Sequence, residues 1–304
     1  MEGNSVMLTI RSSQRSAFNS DPSKTGSAAP PLPPAPPVAE TPPMPPTADG
    51  RRIVGVQIQP EQMKAFARTA RKPFEDEMVI HSREFSPRLC EVLGEDQLRI
   101  ALSQAISKAE KYEFSLRGPI RLFIEASFLF GCGFDTDPQY PWAAEILGTD
   151  NSEMDRAERL CIEIVNYQEI VSGQEATNTR RALADLGRIR DEPPPPPASL
   201  SAEMELLFPE KTGYLGLDAI KALLNYATLV AGAYSLPPRG ESVLALLMFS
   251  FGHHCADDPL YRWIRWTLED TRITRPEARA RRLEKKAITW LDHVIAANKR
   301  TTAP

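Results

Sequence analysis

The chain has 304 residues, with 36 Lys and Arg against 40 Asp and Glu. Its net charge is −4, so no global basic field points to nucleic acid. Hydrophobic residues make up 42% and charged residues 25%, globular usage that excludes a chain disordered throughout.

The 28 prolines are unevenly placed: eleven fall within residues 1–50 and five form Pro193–Pro197. Residues 1–52, rich in Pro, Ala, Ser and Thr, cannot bury enough apolar surface to offset their ordering entropy. They read as a disordered arm, polyproline-like from Pro30 to Pro46. No apolar core of a secretory signal is visible in residues 1–20. The longest apolar runs, Ile120–Phe130 and Val243–Phe251, are shorter than the roughly 20 residues a bilayer requires. Cys90, Cys132, Cys161 and Cys255 are widely spaced and read as free thiols of a reducing compartment. The expectation is a cytoplasmic protein without membrane insertion.

Helical signals begin at Gln59. Pro60-Glu61 is a helix start, and Met63, Phe66, Ala67, Ala70, Phe74 and Met78 follow at spacings of three and four. Pro73 lies inside this run and predicts a kink or a split. Ile10, Gln14, Ala17 and Phe18 recur as Ile58, Gln62, Ala65 and Phe66, a faint echo of the same start. Gly94-Glu95-Asp96 opens a second helix carrying Leu98, Ile100, Ala101, Ala105 and Ala109. Gly118-Pro119 opens a third, apolar nearly all round to Phe130, as expected of a buried bundle centre. A fourth is predicted from Asp137-Pro138. A fifth starts near Ser152, capped with Asp155, and carries Leu160, Ile164 and Val171. Pro193–Pro197 predicts a stiff spacer of about 15 Å. Helices are then expected over 217–230, 242–251, 259–268 and 277–297. No stretch alternates as a strand would.

One repeat organises the chain. Phe128, Phe130, Gly131, Asp137, Pro138, Tyr140 and Trp142 recur, at a constant offset of 121, as Phe249, Phe251, Gly252, Asp258, Pro259, Tyr261 and Trp263. The motif predicts a helix–loop–helix corner. The glycines end one helix in the left-handed conformation, the aspartates cap the next, and the prolines take its first position. The aromatics fold back over the preceding helix. The predicted fold is therefore all-α: two tandem diverged helical-bundle modules, residues 53–190 and 200–300, joined by a polyproline spacer over 191–199.

The candidate chemistry is sparse. His253, His254, Cys255, Asp257 and Asp258 form the densest set of metal-ligand types, which would suit a metal-dependent hydrolase built on His253, His254 and Asp257. Yet adjacent histidines do not easily face one ion, and the first copy has Cys132, Gly133 and Phe134 instead. No metal site or cofactor is therefore assigned. Arg121 and Glu125 read as an intrahelical pair, and His81 and His293 as isolated packing or surface residues. Residues 259–300 carry a net +6 against −10 elsewhere. Arg279, Arg281, Arg282, Lys285 and Lys286 form the wet face of the last helix, with no interleaved aromatics, so a partner-binding surface is expected rather than a nucleic-acid one. No nucleophile elbow, phosphate loop, dinucleotide fingerprint or H-E-x-x-H motif is present.

The run Gln59-Pro-Glu-Gln-Met-Lys-Ala-Phe66, then Phe74-Glu-Asp-Glu-Met-Val79, then Phe128 to Trp142 resembles a set of bacterial proteins encoded beside type VI secretion spike and effector genes. Those carry a start like I-x-x-x-Q-M-x-A-F and a motif like M-F-x-F-G-x-x-F-D-x-D-P-x-x-P-W. Residues 58–148 cover the pattern, and Phe249 to Trp263 looks like a second instance; the Pro-rich N-terminus and Pro73 depart from it. The resemblance implies a role around a secreted toxin. The expectation is a non-enzymatic adaptor or chaperone holding an effector or spike component, with an immunity protein as the alternative. Partner contact is expected at Phe134, Asp135, His253, His254, Arg279, Arg282 and Lys286.

Overall fold

The computed structural model describes residues 60–301. The predicted arm over 1–52 and the echo at Ile10–Phe18 and Ile58 lie outside the described residues. Every regular element among those described is helical, with no strand. No helix among them is long and apolar enough to cross a membrane.

Helix α1 spans Pro60–Phe85 and α2 Pro87–Lys111. α1 runs on through Pro73, correcting the expected split. Just ahead of that proline, Arg71 is tied to α2 through Glu110, Ser103 and Ser107, which holds the chain in register across the missing N–H. α2 begins eight residues before Glu95, its sequence-predicted start, and breaks at Gly94, whose φ of 72° and ψ of 166° suit glycine alone. Helix α3 is Arg117–Phe130, α4 Pro141–Leu147 and α5 Glu153–Tyr167. Ser152 caps α5 by accepting from the Asp155 N–H at 3.2 Å. One π turn, Gln168–Ser172, follows, and then α6, Thr177–Ile189.

Beyond the prolines come α7 Leu200–Leu207, α8 Pro209–Ala233, α9 Pro238–Phe251, α10 Arg262–Leu268 and α11 Pro276–Thr301. Unusual backbone conformations recur between the halves. Gly216 in α8 has φ 76° and ψ 164°, close to Gly94. α2 and α8 also end alike, on the positive-φ residues Glu113 and Ser235. There the next N–H reaches back five residues, from Phe114 to Ala109 and from Leu236 to Ala231.

A single buried cluster runs through both halves. Phe123, Ile124 and Ala126 of α3 and Leu244, Ala245 and Met248 of α9 are almost wholly inaccessible, as the all-round apolar pattern requires. α3 packs on α2 and α5, and α9 packs on α8 and α11. α6 lies on α11, with Arg190 at its end bonded to Asp292 at 2.8 Å. The π turn packs on α8, where Tyr167 meets Tyr214 edge-on at 5.2 Å. The proline stretch therefore joins parts of one core.

His81 is not isolated. Its Nε2 lies 2.8 Å from Glu125 Oε1, which also accepts from Arg121 Nε at 2.9 Å. This junction fastens α1 to the buried face of α3, and Glu125 is 5% exposed. Removing one member leaves the others desolvated without a counter-charge. Glu125→Ala is expected to cost about 3 kcal/mol in denaturant unfolding, and the paired change Glu125→Leu with His81→Leu to recover part of that.

Candidate functional site

The two signature segments meet inside the shared core, and their contact is reciprocal. Asp137 Oδ1 accepts from the Gln139 N–H at 2.9 Å, while Oδ2 accepts from the His253 N–H at 2.7 Å. Asp258 Oδ1 accepts from the Leu260 N–H at 2.8 Å, while Oδ2 accepts from the Cys132 N–H at 2.7 Å. Each carboxylate thus shapes its own turn with one oxygen and ties down the opposite corner with the other. Both are buried, where hydrogen bonds to a charged acceptor contribute roughly 1.5–3 kcal/mol each.

This corrects the predicted corner in two places. Asp137-Pro138 does not open a helix: Phe134–Thr136 forms a 3₁₀ turn and α4 begins at Pro141. In the second corner Asp258 caps and Pro259 takes the first position as expected, but the first turn, Pro259–Tyr261, is 3₁₀ and α10 begins at Arg262. The glycines are not in the left-handed helical region either. Gly131 has φ 92° and ψ 154°, and Gly252 φ 95° and ψ 152°, a region essentially confined to glycine. A Cβ at Gly131 would collide with the Phe251 carbonyl, and one at Gly252 would stand 2.5 Å from the Phe130 carbonyl. Close approach of the two helix ends therefore demands glycine at both.

The aromatics do fold back as expected. Tyr140 lies 4.5 Å from Phe130 and Trp142 5.8 Å from it, centroid to centroid. Tyr261 stacks on Phe251 at 4.2 Å, and Trp263 stacks on Trp290 of α11 at 6.3 Å. Phe128 and Phe249 are buried, as are Pro138's counterpart Pro259 and its neighbour Leu260.

Three of the residues expected to touch a partner are sealed inside. Phe134 is fully buried against Phe123 at 4.8 Å. Asp135 is buried, held by Lys108 Nζ at 2.7 Å and the Tyr112 hydroxyl at 3.0 Å. His253 is buried and stacks on His254 at 3.8 Å, with Tyr226 beside both rings. Its Nδ1 stands 3.3 Å from Asp137 Oδ2 without hydrogen-bond geometry. Arg279 is committed to the Tyr234 and Ile273 carbonyls. His254 is half-buried, Arg282 exposed and Lys286 partly so.

The ligand-rich loop does not converge. Among the described residues no three of His, Cys, Asp and Glu come together as a metal site would require. Asp257 points outward towards Arg265 at 3.4 Å. Burial pushes the Cys132 and Cys255 thiols far up, with Asp258 adding to it, so both stay protonated. Burial lowers His254, reinforced by His253 and Lys108. Burial also raises Asp258, against the N–H groups that bond it. Beside the junction opens a cleft of about 340 Å³, where Ser103, Ser107, Lys108 and Lys111 of α2 face His254 and Asp257.

Sequence reasoning passed over two lysines that serve the junction. Lys108 Nζ donates to the Cys132 carbonyl at 2.8 Å. Lys211 is buried against the Phe249 ring and donates to the Phe249 carbonyl, an orphan acceptor in the last turn of α9. Neither has a local signal, since each acts on another element. Gln139 was within reach of the motif spacing: its amide donates to the Met248 carbonyl at 3.0 Å. No protein-family model, curated protein or solved structure matches this chain.

Two measurements check this geometry. Gly131→Ala and Gly252→Ala should each lose about 3 kcal/mol or more in denaturant unfolding, through strain and carbonyl overlap. Gly118→Ala, in open space on α3, should stay within about 1 kcal/mol of wild type. The second concerns Lys211, which burial lowers to about 8 from 10.5. Between those values the unfolded chain holds the extra proton, so this group adds stability as pH rises. The stability difference between wild type and Lys211→Met should move in favour of wild type from pH 8 towards 10.5, measured by urea titration at each pH.

Proposed function

We propose that the protein is a non-enzymatic adaptor or chaperone-like protein, built from two diverged copies of one helical module, that holds a protein partner through its helical surfaces. The partner is a type VI secretion effector or spike component, as the resemblance over residues 58–148 implies. One observation carries the reading away from catalysis. The signature residues that look most chemical, Asp137, Asp258 and His253, are buried, and both carboxylates are engaged by main-chain N–H groups. A general acid or base must reach a substrate, and a nucleophilic cysteine needs a thiolate. Asp137, Asp258 and His253 do not meet the first condition, nor Cys132 and Cys255 the second. What remains open are helix surfaces and the cleft beside His254.

Co-expression with the product of the adjacent effector gene tests the reading. The expected result is co-purification and a higher soluble yield of the effector, with no rescue of growth when the effector is toxic. Rescue of growth without improved solubility would replace this reading by an immunity function. Absence of any association with secretion components would overturn it.

A further inference from the structure

The basic helix α11 holds a feature that its core packing does not explain. Arg282 and Lys286 lie one turn apart, and among the described residues neither has a hydrogen-bonded acid. Four neighbouring arginines are committed. Arg265 pairs with Glu269 at 3.0 Å, and Arg272 pairs with Asp270 at 2.9 Å. Arg262 donates to Gln97 at 2.7 Å, and Arg279 holds two carbonyls. Like charges at this spacing on a helix work against each other. Lys286 feels this: burial lowers its ammonium and Arg282 lowers it further, with Asp270 offsetting part of the effect.

The two cations line a groove of about 410 Å³ between α10 and α11 together with Trp266, Glu269, Asp270, Thr271 and Arg272; the two acids there are already paired, with Arg265 and Arg272. Trp266 is 57% exposed, and the Arg262 guanidinium lies 4.4 Å from its ring centroid. The aromatic beside the basic face comes from α10, not from α11 itself. Trp and Arg are the side chains most enriched at interface anchors, where a large apolar ring meets a charge.

We propose that this groove docks an acidic segment of a protein partner, two carboxylates meeting Arg282 and Lys286 while an apolar side chain lies on Trp266. The inference rests on the adaptor reading and supplies the chemistry of its partner. Charge complementarity selects the occupant. A nucleic acid requires many phosphates neutralised along a track. Here two cations without a hydrogen-bonded acid stand in a short groove, on a chain that carries −10 outside residues 259–300. A short acidic segment needs only that pair and brings far less charge into the field of the rest of the chain.

The test uses the full chain and an array of short synthetic peptides. Each places two Glu one helical turn apart around a Leu or Phe, and each has a charge-reversed Lys twin. Wild type should bind the Glu set at least about tenfold more tightly than the Lys set, with affinity falling as salt rises. The double variant Arg282→Glu with Lys286→Glu should reverse that preference, and Trp266→Ala should weaken binding of the Glu set. A thermal melt of each variant confirms folding. Equal binding of the two peptide sets by wild type would overturn the proposal, as would a double variant that keeps the Glu preference. Binding of a single-stranded oligonucleotide through Arg282 and Lys286, with no binding of the Glu set, would also overturn it. If the double variant still co-purifies with the effector as wild type does, the groove fails while the adaptor reading stands. If wild type itself recovers no secretion component, the adaptor reading fails.

Discussion

The fold depends on two buried carboxylates that each serve two masters. Asp137 and Asp258 are desolvated, and a buried carboxylate is tolerable only when its oxygens are fully engaged. Each receives one N–H from its own turn and one from the opposite corner. The first bond sets the direction in which the chain leaves the corner. The second fixes how far apart the corners stand. That distance in turn forces glycine at 131 and 252, because each helix end presses on the other's last carbonyl. Residue choice at positions 131, 137, 252 and 258 thus follows from one pair of hydrogen bonds, and the surrounding aromatics exclude water from it.

Sequence showed what acts locally and hid what acts across the chain. Ser152 and Asp155 bond within three residues, so their cap is visible in the letters alone. The same holds for the α3 and α9 runs, whose all-round apolarity leaves only a buried position open to them. Asp137's bond to the His253 N–H spans 116 residues and Asp258's to Cys132 spans 126, so each motif read alone looks like an ordinary cap. The α4 start was misplaced for that reason: the Asp137 carboxylate serves a turn and a distant corner, and the helix begins only at Pro141. α6 escaped notice because Ala182 is its one buried residue, too little for an apolar period to show. α7 is only eight residues long, below the length at which periodicity speaks.

Where the halves differ, three of the differences supply a donor to a main-chain carbonyl beside the junction, two within their own half and one across to the other. Lys108 reaches the Cys132 carbonyl, whereas the residue at the matching place in α8 is Val230. Gln139 reaches the Met248 carbonyl, whereas Leu260 takes its place in the second corner. Lys211 reaches the Phe249 carbonyl from a position matched by Leu89 in α2. In each case a side chain donates to a main-chain carbonyl at or near a helix end, and its counterpart is apolar. Polar satisfaction at the junction is therefore shared out between unlike residues rather than repeated in both.

The histidine pair follows the same logic. Residues 133 and 254 occupy the same place in the two motifs, and they face each other across the junction. A Cβ on Gly133 would come within 2.9 Å of the His254 Cβ and 3.0 Å of its Nδ1. Two large side chains cannot share that space, and two glycines would leave a void beside the buried carboxylates, which a close-packed interior disfavours. One glycine opposite one imidazole fills it. His254 then stacks on His253, whose main-chain N–H is the one held by Asp137. The densest group of potential metal ligands in the chain is thereby explained by volume and by the hydrogen bond it covers, with its cysteine protonated and its outer aspartate turned towards Arg265.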